Sequence, residues 1–423
     1  VSMPSNVSLV KGASSLFGVR ADMQFGKLKL QGVVSRKNSS SSSVKSSGGN
    51  QLTPFEISAA DYEENRHFFL SHFFRDNYDR SMAQLPNITS GIKINRVEVW
   101  VTNKTGATNN TRNIVAFADL GESRHIGNAL WSGNGQDQPQ NTSNNLFATI
   151  TGNYAAARDI SLTASTLDGI GNFVGGSDYE KLESARMLSS SEYTVNKALG
   201  YISLKSALQT DQVLAVAFEY TYRGQNYQVG EFSTDIKDNT QALFVKALKN
   251  TSNVPSMANW KLMMRNVYSL NATRVQKDRF RLDVKILSDT TGVYLTYIPE
   301  PGLKNTPLVR LMNLDRLDNN NKANPNGYFD FVDGYTIDAS TGRVFFPSAE
   351  PFGQFLREKI GSGAVADKYC FQELYDSTKT VARQIAEKNK YIISGQFKAT
   401  QKSGEISLGA TDVPQGSVVV TAG

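Results

Sequence analysis

Apolar and polar residues alternate with a period of two in one stretch near each end of the chain. Phe17, Val19, Ala21, Met23 and Phe25 interleave with Gly18, Arg20, Asp22 and Gln24. After Gly26-Lys27 the rhythm returns, with Leu28, Leu30 and Val34 set against Lys29, Gln31 and Ser35. A period of two marks a strand with unlike faces, and a two-residue connection that starts with Gly suits a type II′ hairpin. Each strand is about nine or ten residues long, the length at which a tilted strand crosses a bilayer. A half-buried hairpin of a soluble sheet carries the same alternation. Near the other end Tyr391, Ile393, Phe397 and Ala399 alternate with Ile392, Ser394, Gln396 and Lys398, and Ile406, Leu408 and Ala410 resume after the turn at Lys402-Ser403-Gly404.

Residues 38–50 between these ends are dominated by Ser and Gly and read as a flexible linker. Ser58, with Asp61 three residues on, resembles the start of a helix ending before Pro86. Further helices are expected at 155–166, 179–188, 257–270 and 371–385, and strands at 92–101, 114–118, 213–222, 227–232, 280–287 and 293–297. One pattern occurs twice. Tyr193-Thr194-Val195-Asn196, three residues and Gly200-Tyr201-Ile202-Ser203-Leu204 reappear as Tyr335-Thr336-Ile337-Asp338, three residues and Gly342-Arg343-Val344-Phe345-Phe346, at a constant offset (335 − 193 = 142). Asn or Asp opening a turn, Gly where positive φ is cheapest and an apolar strand together describe a β-hairpin. A lone hairpin is marginal in water, so each copy predicts a larger β-rich partner; two hairpins that converged on the same turn chemistry are the alternative.

The fold class that follows is mixed: transmembrane β-barrel hairpins at both ends flank a large, β-rich α+β extramembrane insert of two related modules. Its divisions are a barrel hairpin over 1–37, the linker at 38–50, modules over 51–235 and 236–388, and a returning barrel hairpin with the start of a further segment over 389–423. Outer-membrane barrels keep their short turns on the periplasmic side. Both short turns share a side by strand parity, which puts 38–389 on the extracellular side.

Composition leaves this picture standing. With 39% hydrophobic and 20% charged residues in 423, the chain has material for sizeable cores. Its net charge of +6 is spread thinly and is not a nucleic-acid-binding signature. The single cysteine, Cys370, excludes an internal disulfide framework and a cysteine-based structural zinc site. The chain opens without a basic-then-apolar leader and stops in a strand-like Val418-Val419-Val420, and so reads as a segment of a longer polypeptide. No phosphate loop, nucleophile elbow or HExxH motif occurs, no pair of carboxylates is nominated as acid and base, and no enzyme is expected. His67 and His72, five apart on one expected helix, point away from each other, and His125 lies on a later loop, so packing or surface roles rather than ligation are expected of all three. One loop, rich in Asp and Asn, has hard oxygen donors. Asp318, Asn320 and Asp330 are its candidate calcium ligands, although the spacing is not that of an EF-hand and a solvated turn is the alternative.

Longer motifs carry a resemblance. The run Tyr62-Glu63-Glu64-Asn65-Arg66-His67-Phe68-Phe69-Leu70-Ser71-His72-Phe73-Phe74, Arg96-Val97-Glu98-Val99-Trp100-Val101-Thr102-Asn103, Asn113-Ile114-Val115-Ala116-Phe117-Ala118-Asp119-Leu120-Gly121 and Asp178-Tyr179-Glu180-Lys181-Leu182-Glu183-Ser184-Ala185-Arg186 resemble the SprA/Sov family of Bacteroidota cell-surface proteins. So do Val229-Gly230-Glu231-Phe232 and Val413-Pro414-Gln415-Gly416-Ser417. The resemblance implies a segment of the type IX secretion translocon, a giant outer-membrane β-barrel through which folded cargo leaves the periplasm, in some members serving gliding motility. It implies cargo with a C-terminal sorting domain, a smaller barrel partner of the PorV type, contact with outer-membrane lipid, and no cofactor or catalytic residue. The competing expectation is a soluble cell-surface module that binds glycans or partner proteins through exposed Trp100, Trp131 and Trp260.

Overall fold

Strands dominate the computed structural model, which describes residues 17–25, 28–36, 52–361 and 363–399. In chain order they are β1 (Phe17–Phe25), β2 (Leu28–Arg36), β3 (Thr53–Ser58), β4 (His67–Phe69), β5 (Ile92–Val101), β6 (Thr111–Phe117), β7 (Tyr179–Met187), β8 (Tyr193–Asn196) and β9 (Tyr201–Leu204). There follow β10 (Leu214–Tyr222), β11 (Gln225–Val229), β12 (Leu243–Lys249), β13 (Val267–Ser269), β14 (Val275–Leu287), β15 (Tyr294–Leu295), β16 (Ile337–Asp338), β17 (Arg343–Phe345) and β18 (Tyr391–Ala399). Among the described residues no helix is long and apolar enough to cross a membrane.

The chain divides into two units, Val1–Gly49 with Leu408–Gly423, and Asn50–Ser407. In the first, β1 and β2 pair antiparallel from Phe17↔Arg36 to Phe25↔Leu28. This register sets Val19 opposite Val34, Met23 opposite Leu30 and Phe25 opposite Leu28, while Val33 falls opposite Arg20 and Arg36 opposite Phe17. The expected partner strand around 406–410 and the linker at 38–50 lie outside the described residues.

In the second unit β5, β7, β6, β12 and β10 close a ring: β5 pairs β10, β10 pairs β12, β12 runs parallel to β6, β6 pairs β7, and β7 returns to β5 through Trp100↔Met187 and Val101↔Arg186. β11 adds to β10 outside the ring through a two-residue turn at Arg223-Gly224, both with positive φ, as a type I′ hairpin wants. Alternate residues of each ring strand go to different cores. Trp100, Ile114, Ala116, Leu182, Ala185, Ala215, Ala217, Val245 and Ala247 form one cluster, while Val99, Val115, Phe117, Val216, Phe218 and Phe244 join the large core outside it. The alanines suit the narrow bore of a five-stranded barrel, which side chains fill without leaving a channel. One end is stoppered by the 232–241 loop. Buried Arg112 donates to Asn239 Oδ1 (2.7 Å) and to the carbonyls of Ile236 (2.9 Å) and Asp238 (2.7 Å), and Ser233 N and Oγ donate to Glu98. A four-stranded half-barrel, β15-β14-β18-β3, covers the other side of the large core with Phe280, Leu282, Val284, Ile286, Tyr391 and Ile393. β18, the first strand of the expected returning hairpin, therefore pairs on both edges within this unit.

Two small sheets, β4-β9-β8 and β13-β17-β16, carry the repeat. Val195↔Ile202 and Asn196↔Tyr201 in the first correspond to Ile337↔Val344 and Asp338↔Arg343 in the second, at the offset of the sequence repeat. Asn196 Oδ1 caps the N–H of Ala198 and Leu199, and Asp338 Oδ1 those of Ser340 and Thr341. The third strand corresponds as well, at a different offset (267 − 67 = 200): His67↔Ser203 matches Val267↔Phe345, and Leu70 N bonds Gly200 O as Leu270 N bonds Gly342 O. The repeat is thus three strands, and the insertion before the hairpin differs in length between copies. The expected modules meet here: Glu63 N donates to Val267 O, and Met264 N to His67 O, so each copy pairs with the residues that lead into the other.

Tertiary pairing overrides several expected helices. Residues 179–188 were expected to be helical on their Glu, Lys, Leu and Ala content, yet form β7, which is needed to close the barrel. Ser58 does cap a turn, with Ala60 N on its Oγ at 3.3 Å, but the turn is a single 3₁₀ one over Ala59–Asp61. Fully buried β4 follows, and the helix α1 (His72–Ser81) starts only after Ser71. Residues 257–270 give a 3₁₀ turn and β13, and 371–385 break at Ser377, where Thr378 caps a second short helix.

Gly200 (φ +68°) and Gly342 (φ +65°) hold the hairpin turns where a Cβ has no room: it would lie 2.4 Å from Phe74 Cγ and 2.1 Å from Ala272 O, respectively. Gly342→Ala is expected to destabilise the chain by about 3 kcal/mol or more, and Gly334→Ala, at positive φ with open space, by only about 1 kcal/mol. Denaturant midpoints compare them; equal losses contradict the close approach.

Candidate functional site

The charged residues that pack between the repeats form the densest polar cluster. Glu63 lies in the turn leading into β4, its side chain 14% exposed, and takes Arg66 Nη1 at 2.7 Å, His67 Nε2 at 2.9 Å and Arg343 at 2.5 Å (Nε) and 3.2 Å (Nη2). Arg343 belongs to the second repeat, so this carboxylate ties the two copies together. Burial pushes the Glu63 carboxyl up, but the hydrogen bonds from His67 and Arg343 outweigh it and hold it at about 2. His67 is wholly buried, which pushes its imidazole down. The neutral Nε2–H form satisfies both its bonds: it donates to Glu63 and accepts from Ser203 Oγ on Nδ1 at 2.7 Å. Ser203, His67 and Glu63 thus line up hydroxyl, imidazole and carboxylate, as nucleophilic catalysis uses them. Here the line runs across the paired strands β4 and β9, and its carboxylate is neutralised by two guanidiniums. It acts as a clasp between sheets.

A second cluster gathers the other two histidines. His72 and His125 stack with ring centroids 4.4 Å apart, although they are distant in sequence. His72 Nε2 is 2.8 Å from Ala258 O, its N–H reaches Glu122, and His125 Nε2 is 2.7 Å from Asp76. Burial brings His72 down to about 4, while the Asp76 hydrogen bond raises His125. Glu122 meets Lys246 Nζ at 2.8 Å, both wholly enclosed, and Lys246 also donates to the carbonyls of Ala118 and Leu120. Packing or surface roles were expected of the three histidines; the structure buries His67 and His72 and leaves His125 exposed. The partners of His72 and His125 come from remote segments, whereas His67 also meets Glu63, four residues before it.

The Asn-rich loop turns its carboxylates onto its own backbone. Asp330 accepts from Arg316 N (2.7 Å) and Leu317 N (3.1 Å), Asp318 Oδ1 from Asn320 N (2.8 Å) and Lys322 N (3.0 Å), and Asp315 from Asn326 N and Gly327 N. Burial raises Asp330 to about 6. Asp318 and Asp330 are thereby engaged with backbone N–H groups, Asn320 contributing its own N–H to Asp318, and among the described residues no group of three or more His, Cys, Asp or Glu side chains is placed to hold a metal. The three tryptophans expected as exposed contacts are buried: Trp100 fills the barrel, Trp131 packs edge-on against Phe173, and Trp260 donates to Tyr375 O. Lys249 is buried as well. It is 1% exposed, its ammonium held by the carbonyls of Thr210, Gln212 and Asn250 and lowered by burial to about 8.

The clasp has a pH signature. A carboxyl lowered from 4.5 to about 2 stabilises the folded chain above about pH 4.5, and that stabilisation is lost as pH falls from there through 2. Glu63→Gln is expected to cost on the order of 3 kcal/mol at pH 7, with the gap to the parent closing between about pH 4.5 and 2. Urea unfolding across this range measures it, and a gap independent of pH contradicts the clasp.

Known proteins give one match of note. The SprA_N family, described as motility related/secretion protein, matches residues 2–228, which take in β1–β10, the complete first repeat and the start of β11. No curated protein matches the chain. The chain belongs to the SprA/Sov family of motility-related and secretion proteins.

Proposed function

We propose that this chain is a segment of a giant outer-membrane translocon, the protein-conducting channel of type IX secretion in Bacteroidota. In this reading β1 and β2 are strands of the parent barrel wall, and residues 52–399 form an extramembrane body that caps or narrows its opening. The observation that carries the proposal is the hairpin in a chain of this family. Two nine-residue strands pair in full register, with Val19, Met23 and Phe25 opposite Val34, Leu30 and Leu28, the length and alternation of an outer-membrane strand. The conduit is then the parent barrel, because the five-stranded barrel of the second unit is filled by its own side chains. Cargo proteins with a C-terminal sorting domain are the substrate, a smaller PorV-type barrel is the partner, and no catalytic step or cofactor takes part. The body faces the cell exterior. The competing glycan- or protein-binding module has lost its three aromatic contacts to the core.

The test sets the two faces of the hairpin against each other in the full-length protein in cells. Met23→Lys, on the face assigned to lipid, is expected to cost about 2–4 kcal/mol of barrel stability, reducing outer-membrane assembly and cargo export together. Gln24→Lys on the other face leaves both near the parent level; equal effects contradict the barrel reading. In the same cells an impermeant amine reagent is expected to label the exposed Lys93 and Lys197 with the membrane intact. Labelling only after the outer membrane is opened puts the body in the periplasm.

A further inference from the structure

His72 carries a ring nitrogen that the surrounding fold does not satisfy. The residue opens α1, is 4% exposed, and sets Nε2 at 2.8 Å from Ala258 O, so the neutral ring keeps its proton on Nε2 and leaves Nδ1 a bare acceptor. Nδ1 is enclosed and has no hydrogen-bond partner among the described residues. The His125 ring lies against the His72 ring, with 4.4 Å between centroids and 26° between planes, and is itself 45% exposed. One face of the buried ring is thus covered by a half-exposed one. Residues 123–128, which carry His125, are half-buried or exposed throughout. His125 Nε2 is 2.7 Å from Asp76 Oδ2 on α1, Arg124 pairs with Asp137 at 2.6 Å, and the Gly127 and Asn128 amides donate to the two oxygens of Asp119 at 2.8 and 2.9 Å. Gly127 packs directly on the residue that receives the His72 Nε2–H: a Cβ there would lie 2.7 Å from Ala258 Cβ.

A second proton on His72 has no place in this arrangement, because it would put an N–H on Nδ1 without an acceptor. The charged groups around the two rings are Glu122, Lys246, Asp76 and Arg75. Glu122 attracts a proton to His72, but its Oε1 already takes Lys246 Nζ at 2.8 Å and the His72 backbone N–H at 3.1 Å. Lys246 and a charged His125 repel it. The Asp76 hydrogen bond raises His125, which Arg75 opposes, so His125 is the ring that charges first. Burial holds His72 down at about 4, against an ordinary 6.5 once water reaches it. His72 therefore favours the covered form above pH 6.5 and withdraws that preference as pH falls from 6.5 through 4. His125 acts the other way, favouring the covered form as it gains its proton, and below pH 6.5 its share no longer changes.

We infer that residues 123–128 are an acid-sensitive lid: the second proton, which only a water-exposed Nδ1 can hold, lifts His125 off His72 and frees this segment from α1 and Ala258 while the sheets beneath stay closed. The lid stands apart from the secretion reading and does not depend on it.

Hydrogen exchange on the full chain in detergent, corrected for the intrinsic rate at each pH, tests the lid at the Gly127 and Asn128 amides, with Leu70, bonded to Gly200 O, as reference. Between about pH 7.5 and 4.5 the lid amides are expected to lose protection by about fiftyfold while Leu70 keeps its own. His72→Gln, which retains a donor for Ala258 O, is expected to remove most of that change. Exposed His125→Gln lowers lid protection at about pH 7.5 and shrinks the change, because the neighbouring charge is gone. Asp119, raised by burial, is the other group whose protonation releases these amides, so an undiminished change in His72→Gln assigns the opening to Asp119 and overturns the lid. Lid amides that stay protected down to about pH 4.5, or that open together with Leu70, overturn it as well. If His72→Gln does not fold, His125→Gln decides, since an unchanged pH dependence there contradicts the stacked charge.

Discussion

The second unit depends on a reciprocal exchange between its two repeated sheets. Each is a three-stranded sheet too small to bury both its faces, and each lends the strand of the other a backbone donor: Glu63 N to Val267 O, and Met264 N to His67 O. Backbone groups buried at such a junction must be paired, so neither sheet completes its bonding alone. The Glu63 carboxylate then fastens the same junction through Arg343, and α1 braces it with the Tyr78 hydroxyl on Phe346 O and Asp79 on Ala349 N. Aromatic packing follows the same seam, as Tyr201 stacks on Phe345 and His67 meets its edge.

The five-stranded ring keeps apolar residues on both faces of its strands, because its outside is covered by protein and its inside by Trp100 and the alanines. In β1 and β2 the sequence alternates instead, with Val19, Met23 and Phe25 opposite Val34, Leu30 and Leu28. This chain thus holds a paired hairpin, β1–β2, and a body built around a solid core.

Local chemistry was legible in the sequence wherever a short range decided it. The two hairpin turns, the Asn196 and Asp338 caps, the Arg223-Gly224 turn and the alternation of β1 and β2 all follow from residues within a few positions. What stayed hidden was set by distant partners. β7 carries helix-forming residues and is a strand because β5 and β6 need it between them. The third strand of each repeat escaped notice because its offset, 200 rather than 142, breaks the spacing of the hairpin it pairs with. The stacking of His72 on His125 and the burial of all three tryptophans likewise join remote segments. The competing expectation placed these tryptophans at the surface, and tertiary packing put them in the core.

Native-state hydrogen exchange on the full chain is the most direct test of the shared junction. The amides of Leu70 and Leu204 in the first repeat, and of Leu270 and Phe346 in the second, each make a bond that closes its sheet. If the sheets complete one another, all four open with one free energy and one denaturant dependence. Leu270 and Phe346 exchanging through a separate, cheaper opening while Leu70 and Leu204 stay protected contradicts the account.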